Sequence, residues 1–246
     1  MPDAVNLESP AQVDGGWYRR LRALLGGLAR GLCLVCREPG ASGRDLCPAC
    51  TDALPWMPHA CRRCAQPLPA GDPVCGACLQ RPPPLDAVVA AFDYGFPLDR
   101  LLPRFKFHRD LAAGALLGQC LARATAAATR PDALVPIPLH LSRLRTRGYD
   151  QALELARIVA RAHALPLRTD LLQRVRATAP QSRLDAKARQ RNLRRAFVAP
   201  PRATAPAHVV LIDDVMTTGA TLHAAAQALR RAGAARVDAW ICARVR

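Results

Sequence analysis

The stretch VVLIDDVMTTGAT, residues 209–221, decides how the second half of this chain is read. Four apolar residues run into two adjacent carboxylates, then hydroxyls, a glycine and residues suited to opening a helix. An apolar run bounded in this way reads as a buried strand, here Val209 to Asp213. In an open α/β sheet, such a strand delivers Asp213 and Asp214 to the carboxyl edge, where these folds bind ligands. Thr217, Thr218, Gly219, Ala220 and Thr221 then turn into a helix expected over 220–232 and ended by Gly233. The free N–H groups of a first helical turn, together with the helix dipole, form an anion cradle. Gly219 lets the backbone approach closely, and the threonines add hydroxyl donors. Carboxylates beside such a cradle would repel a phosphate, so they must face another part of the ligand. A sugar diol, with two O–H donors, suits them, and a sugar phosphate is the ligand expected. The competing reading is a chance strand–turn–helix with an Asx cap.

Outward from this motif, strand-like and helical runs alternate, the pattern of a parallel α/β sheet. Residues 86–95 (DAVVAAFDYG) read as a strand, followed by a helix LDRLLPRFKF that Pro103 can kink. Leu111 to Thr129 is expected to be helical and 134–138 (LVPIP) a short buried strand. Gln151 to His163 carries Ala152, Leu155, Ala156, Val159 and Ala160 on one face, the mark of an amphipathic helix. LLQRV (171–175) and VDAWICA (237–243) read as further strands. The tripled proline of RPPP, 81–84, cannot continue a helix or a central strand and marks a linker. Three parts are expected: a lead-in segment 1–30, a cysteine module with its linker 31–84, and an α/β domain 85–246.

Eight of the ten cysteines fall between residues 33 and 78. They form four C-x-x-C pairs, Cys33/Cys36, Cys47/Cys50, Cys61/Cys64 and Cys75/Cys78, with ten residues between successive pairs. Two thiolates three apart on a tight knuckle can face one tetrahedral ion, and a second knuckle completes the four sulfurs. Four pairs make two structural zinc sites. Few large apolar residues lie between 31 and 80, so the metals would supply most of that module's folding free energy. Equal spacings leave two pairings open, sequential (33/36/47/50 with 61/64/75/78) or interleaved. His59 is an alternative ligand or a loop residue. Cys120 and Cys242 have no partner in sequence and read as small buried hydrophobes.

The formal net charge of +16 points to polyanionic partners. Only Lys106 and Lys187 are lysines, however, and an arginine-, alanine- and proline-rich composition also follows from GC-rich coding. Residues 1–16 carry acids and no apolar core, so no secretory leader is expected and a cytoplasmic location is. The apolar run from Leu111 to Ala128 is broken by Gln119 and Arg123, so stable membrane insertion is not expected. WYRRLRALLGGLAR (17–30) is a basic amphipathic segment. It reads as a lead-in helix packing on the next module or as a surface-binding segment, weakened by Gly26 and Gly27.

The motif at 209–221 resembles the signature of type I phosphoribosyltransferases, which bind phosphoribosyl pyrophosphate (PRPP). Residues 31–246 resemble one subgroup, the ComF family of competence-associated proteins. Besides the cysteine module and the PRPP loop, the resemblance is carried by LPW (54–56), RPPPLDAVVAAFDY (81–94), KFHRD (106–110), VPIPLHLSRLRTRGYDQA (135–152) and QSRLDAKARQRNLRRAF (181–197). It implies a type I phosphoribosyltransferase fold, with a central, mainly parallel sheet and flanking helices, preceded by a double zinc ribbon. It further implies Mg²⁺-dependent ribosyl transfer, with Asp213 and Asp214 on the ribose and residues 217–221 on the 5′-phosphate. The loop after Pro138 would face the pyrophosphate, with Arg143 and Arg147 near it. A flap over 181–197 would carry Gln181, Arg189 and Asn192. The sequence departs from the family pattern at Asp150, usually Asn, at Arg109, commonly glycine, and at Arg183, commonly small. No residue identifies the acceptor. The rival reading is a non-catalytic, PRPP-gated protein that binds single-stranded DNA, or a docking adaptor using its ribbons on a protein partner. Aromatic residues at 4% give stacking platforms little support.

Overall fold

The computed structural model describes residues 31–41, 45–57, 59–70, 73–176 and 196–246. The lead-in segment 1–30 and most of the expected flap, including Gln181, Arg183, Arg189 and Asn192, lie outside the described residues.

A four-stranded parallel sheet organises the chain, in the order β1 (Val88–Asp93), β6 (Arg236–Arg244), β5 (His208–Met216) and β2 (Ala133–Pro136). β2 is buried throughout and β6 nearly so, as parallel strands covered on both faces must be. β5 outruns the expected end at Asp213 because β6 accompanies it: Asp213 pairs with Ile241, and Met216 with Arg244. The pleat splits the strand residues between two cores. Val210, Ile212, Trp240 and Cys242 face one side, and Val209, Leu211, Val237 and Ile241 the other.

The first face is covered by α3 (Leu98–Phe107), α4 (Leu111–Ala124) and α6 (Gln151–His163). Pro103 sits inside α3, whose Leu98, Leu101, Leu102 and Phe105 are buried. Asp110 caps α4 by accepting from the Ala113 N–H at 2.9 Å. α4 stops at Ala124, short of the expected Thr129. The Thr125 hydroxyl bonds back to the Leu121 and Ala122 carbonyls at 2.9 and 3.2 Å, which competes with continued helix. Gly114 and Gly118 let the neighbours of α4 come close. A Cβ at Gly114 would stand 2.3 Å from Phe105, and one at Gly118 2.7 Å from Ile158. α6 buries the stripe read from sequence, from Ala152 to Ala160. The second face is covered by α7 (Ala220–Arg231). Between β2 and α6 runs a short helix, α5 (Leu141–Arg147), where the sequence suggested only a loop. The expected strand 171–175 contracts to β3 (Gln173–Arg174), antiparallel to β4 (Phe197–Val198), while Leu171 and Leu172 join the second core.

The cysteine-rich segment contributes two short helices, α1 (Pro48–Asp52) and α2 (Gly76–Gln80). It straddles the outer edge of β1. Cys33, Leu46, Cys47 and Leu54 enter the first core, and Ala65 the second. The Met57 N–H reaches Ala91 O at 3.0 Å, the Asp93 N–H reaches Pro55 O at 2.9 Å, and the Val88 N–H reaches Arg62 O at 2.6 Å, so the exposed strand edge is satisfied. Trp56 packs on Phe92 with ring centroids 4.6 Å apart. Cys120 and Cys242 are both buried. Among the described residues, no helix is long and apolar enough to cross a membrane.

Candidate functional site

The eight module cysteines form two clusters, Cys33/Cys36/Cys47/Cys50 and Cys61/Cys64/Cys75/Cys78, with sulfurs within 4.8 Å of one another in each. The sequential pairing is therefore the one present. Zinc–sulfur bonds of about 2.3 Å in a tetrahedron require sulfurs about 3.8 Å apart. Cys36 and Cys47 are 3.6 Å apart, and Cys64 and Cys75 3.8 Å. Backbone N–H groups point at sulfur, Cys50 N to Cys47 at 3.4 Å and Cys75 N to Cys61 at 3.3 Å. Burial disfavours the Cys33 and Cys61 thiolates, but these and other N–H groups overcome it and lower the two thiols to about 6 and about 7. Burial and neighbouring sulfurs push Cys50 and Cys78 up, and Cys64 to about 11. The Cys33 and Cys61 thiolates form readily while Cys50, Cys64 and Cys78 resist ionisation, an imbalance that a divalent ion resolves. The donor set fits structural zinc.

The second site opens at the carboxyl ends of β2 and β5. A cavity of about 580 Å³ is lined by residues including Lys106, Phe107, Arg143, Arg147, Asp150, Asp213 and Asp214. A smaller cavity of about 150 Å³ adjoins it over Thr217, Thr218, Gly219, Ala220 and Thr221. Lys106, Asp213, Val215 and Thr221 line both and mark the junction. Gly219 caps α7 at φ +77°, in the left-handed region, and a Cβ there would stand 2.6 Å from the Met216 side chain and 2.9 Å from His223 Nε2. The loop thus turns sharply and presents the start of a twelve-residue helix to the small cavity.

The acid pair is electrostatically divided. Asp214 is 6% exposed and forms an ion pair with Lys106 Nζ at 2.7 Å. Burial opposes the charge on Lys106, yet Asp214 and then Asp213 hold its pKa above the ordinary lysine value. Asp213 accepts the Asp214 N–H on Oδ1 at 2.9 Å. Burial, then the Asp214 charge, drives its carboxyl up to about 8, against the opposing pull of Lys106. The two carboxyls are therefore unlike: Asp214 is held against a lysine, and Asp213 resists losing its proton.

Arg143 and Arg147 line the large cavity together with Arg174. Arg147 donates to Gln151 Oε1 at 2.9 Å and lies 5.2 Å over the Phe107 ring. Burial, followed by repulsion from Arg147, lowers the pKa of Arg143. Asp150 is bound by backbone donors on both oxygens, Leu139 N at 2.9 Å and Leu153 N at 3.2 Å. It caps α6 and fastens the chain after β2; an Asn could accept the capping bond, but its amide nitrogen could not accept the second. Burial nonetheless raises its pKa. Arg109 stands at φ +54°, which explains why glycine suits that position.

Sequence reasoning missed Lys106 and Arg174 as lining groups. Both sit in ordinary basic contexts, and only the tertiary fold carries them to the acids. The sequence signal for Lys106 was its rarity, since it is one of two lysines in the chain.

Comparison with known proteins gives the class. Residues 28–79 match the double zinc ribbon domain, and residues 150–245 the phosphoribosyl transferase domain. The "DNA utilization protein YhgH" of Salmonella typhi is 38% identical over 170 residues, covering 65% of this chain and 73% of the relative. "Competence protein F" of Haemophilus influenzae is 35% identical over 167 residues, with the same coverage. "Competence protein ComFC" of Bacillus subtilis is 30% identical over 149 residues, or 59% of each chain. The fold is that of a phosphoribosyltransferase preceded by a double zinc ribbon. The chain belongs to the ComF family.

Proposed function

We propose that the chain binds PRPP and transfers its ribosyl group with release of pyrophosphate. The observation that carries this reading is the small cavity over residues 217–221 opening directly beside Asp213. In the proposed complex the 5′-phosphate accepts hydrogen bonds from the loop N–H groups. The ribose hydroxyls meet the acid pair, Asp213 at the junction of the two cavities and Asp214 held in place by Lys106. The pyrophosphate extends into the larger cavity toward Arg143 and Arg147, whose guanidinium forks suit phosphate oxygens. Gln181, Arg189 and Asn192 would close over it as a flap and exclude water.

A nucleophile attacks C1 of the ribose as the C1–pyrophosphate bond breaks, and positive charge develops on the ring. The acid pair favours that charge, and the arginines stabilise the departing anion. Asp213, at the junction of the two cavities, offers a hard oxygen donor that fits Mg²⁺ held jointly with the ligand once its proton is released, whereas both oxygens of Asp150 are taken up by backbone N–H groups. Bound there, the ion would neutralise charge on the leaving pyrophosphate.

Calorimetry with PRPP and Mg²⁺ on Asp213→Asn/Asp214→Asn should show loss of binding in a folded protein, and an unchanged affinity would count against the assignment. Pyrophosphate released on adding candidate bases would identify a transferase. A second reading, PRPP-gated binding of single-stranded DNA or docking on a protein through the ribbons, is favoured by the relatives' names and the net charge of +16. A binding curve steeply dependent on salt, without pyrophosphate release, would favour it.

A further inference from the structure

Arg244 ends β6 and is buried, yet no part of the proposed chemistry uses it. Its Nε donates to the Cys64 carbonyl at 2.9 Å, inside the second cysteine cluster. Its Nη1 donates to the Met216 carbonyl at 3.1 Å and to the Thr217 and Val245 carbonyls. Met216 ends β5, and Thr217 opens the anion loop. One guanidinium therefore grips a metal knuckle with one edge and the entrance of the loop with another. A buried cation in a cage of carbonyls needs a counter-charge. The thiols of Cys64, Cys75 and Cys78, with Asp93, supply negative potential there. Four thiolates on a divalent ion would leave a net charge of about −2 a few ångströms away.

The first cluster is held by a different arginine. Arg104 donates to the Leu34 carbonyl at 2.5 Å, between Cys33 and Cys36, and pairs with Asp110 at the start of α4. The other side-chain hydrogen bonds of Arg104 among the described residues go to Asp110, away from the loop. The two clusters are thus buttressed to different walls of the fold, and among the described residues the second is the one tied to residues 216 and 217.

We propose that Arg244 is a positioning residue for the anion loop, locking its entrance to the second cysteine cluster, so that metal in that cluster and phosphate in the loop strengthen each other's hold. The phosphate half of this inference rests on the sugar-phosphate reading above, while the locking of the loop does not. Coupling of this kind is reciprocal by linkage.

The test uses the full zinc-loaded chain and three variants, Arg244→Lys, Cys75→Ser and Cys36→Ser. Lysine keeps the charge but loses the fork. Hydrogen exchange across 216–221 should speed up about tenfold in Arg244→Lys and Cys75→Ser, from the loss of charge-assisted bonds. Cys36→Ser should leave that segment unchanged. Affinity for ribose 5-phosphate should fall about tenfold in Arg244→Lys. Saturating ribose 5-phosphate should also slow chelator-driven zinc loss from the second cluster in the wild type but not in this variant. Unchanged loop exchange in Arg244→Lys, or equal acceleration by Cys36→Ser, overturns the proposal. Because Arg244→Lys keeps all eight cysteines, its result does not depend on removing a metal ligand. If wild type ignores ribose 5-phosphate while the exchange pattern holds, the ligand reading fails and the locking role stands.

Discussion

Asp213→Asn separates stability from binding. In the wild type, burial and the adjacent Asp214 raise the Asp213 carboxyl from 3.8 to about 8, with Asp150 adding to the effect and Lys106 opposing it. The folded state therefore holds a proton between these values that the unfolded chain has released. Stability falls as pH rises through that window and levels off above it. At about 1.36 kcal/mol per pH unit, the full window is worth roughly 6 kcal/mol. Asp213 is only half-buried, so screening by solvent cuts this to about 2 kcal/mol. Asparagine keeps the shape and cannot ionise. Urea denaturation at pH 5 and pH 8, which spans about three-quarters of that window, should show wild type losing about 1–2 kcal/mol relative to Asp213→Asn. The same variant should bind ribose 5-phosphate more weakly, since a site shaped for function is held against the stability of the fold. Parallel pH dependences in the two proteins would refute this division of the acid pair.

Elemental analysis of the purified chain should find about two zinc ions per molecule, and fewer than one would refute the cysteine module as described. Gly114→Ala should lower the melting temperature and cost about 1–3 kcal/mol, because its Cβ would lie 2.3 Å from Phe105, and an unchanged melting curve would refute that packing. Arg109→Gly should stabilise the fold by about 1 kcal/mol, by relieving a left-handed φ of +54° at the expense of one exposed 3.3 Å bond to Arg147 O, as read by urea denaturation.

Much of the architecture was written in local patterns. The cysteine spacing marked four knuckles, enough for two four-sulfur sites, and the apolar run into Asp213 and Asp214 defined the strand and loop. The stripe from Ala152 to Ala160 defined α6. What escaped depends on contacts distant in sequence. Equal spacings could not choose between pairings of the cysteines, since the choice lies in how two knuckles meet. Met216 belongs to β5 only because Arg244 lies beside it. α5 has seven residues and buries none of them, so it carries no apolar period to detect. Lys106 reaches Asp214 across more than a hundred residues, and Arg244 spans 180 to reach Cys64. Nothing local to either residue announces its partner.

The central claim, that residues 217–221 grip the phosphate of a ribosyl donor while the acids hold its sugar, is met most directly by a crystal structure of the chain with ribose 5-phosphate. The phosphate should lie within hydrogen-bond reach of the loop N–H groups, and the ring hydroxyls on Asp213 and Asp214. A phosphate bound elsewhere, or a loop that stays empty at saturating ligand, would contradict it.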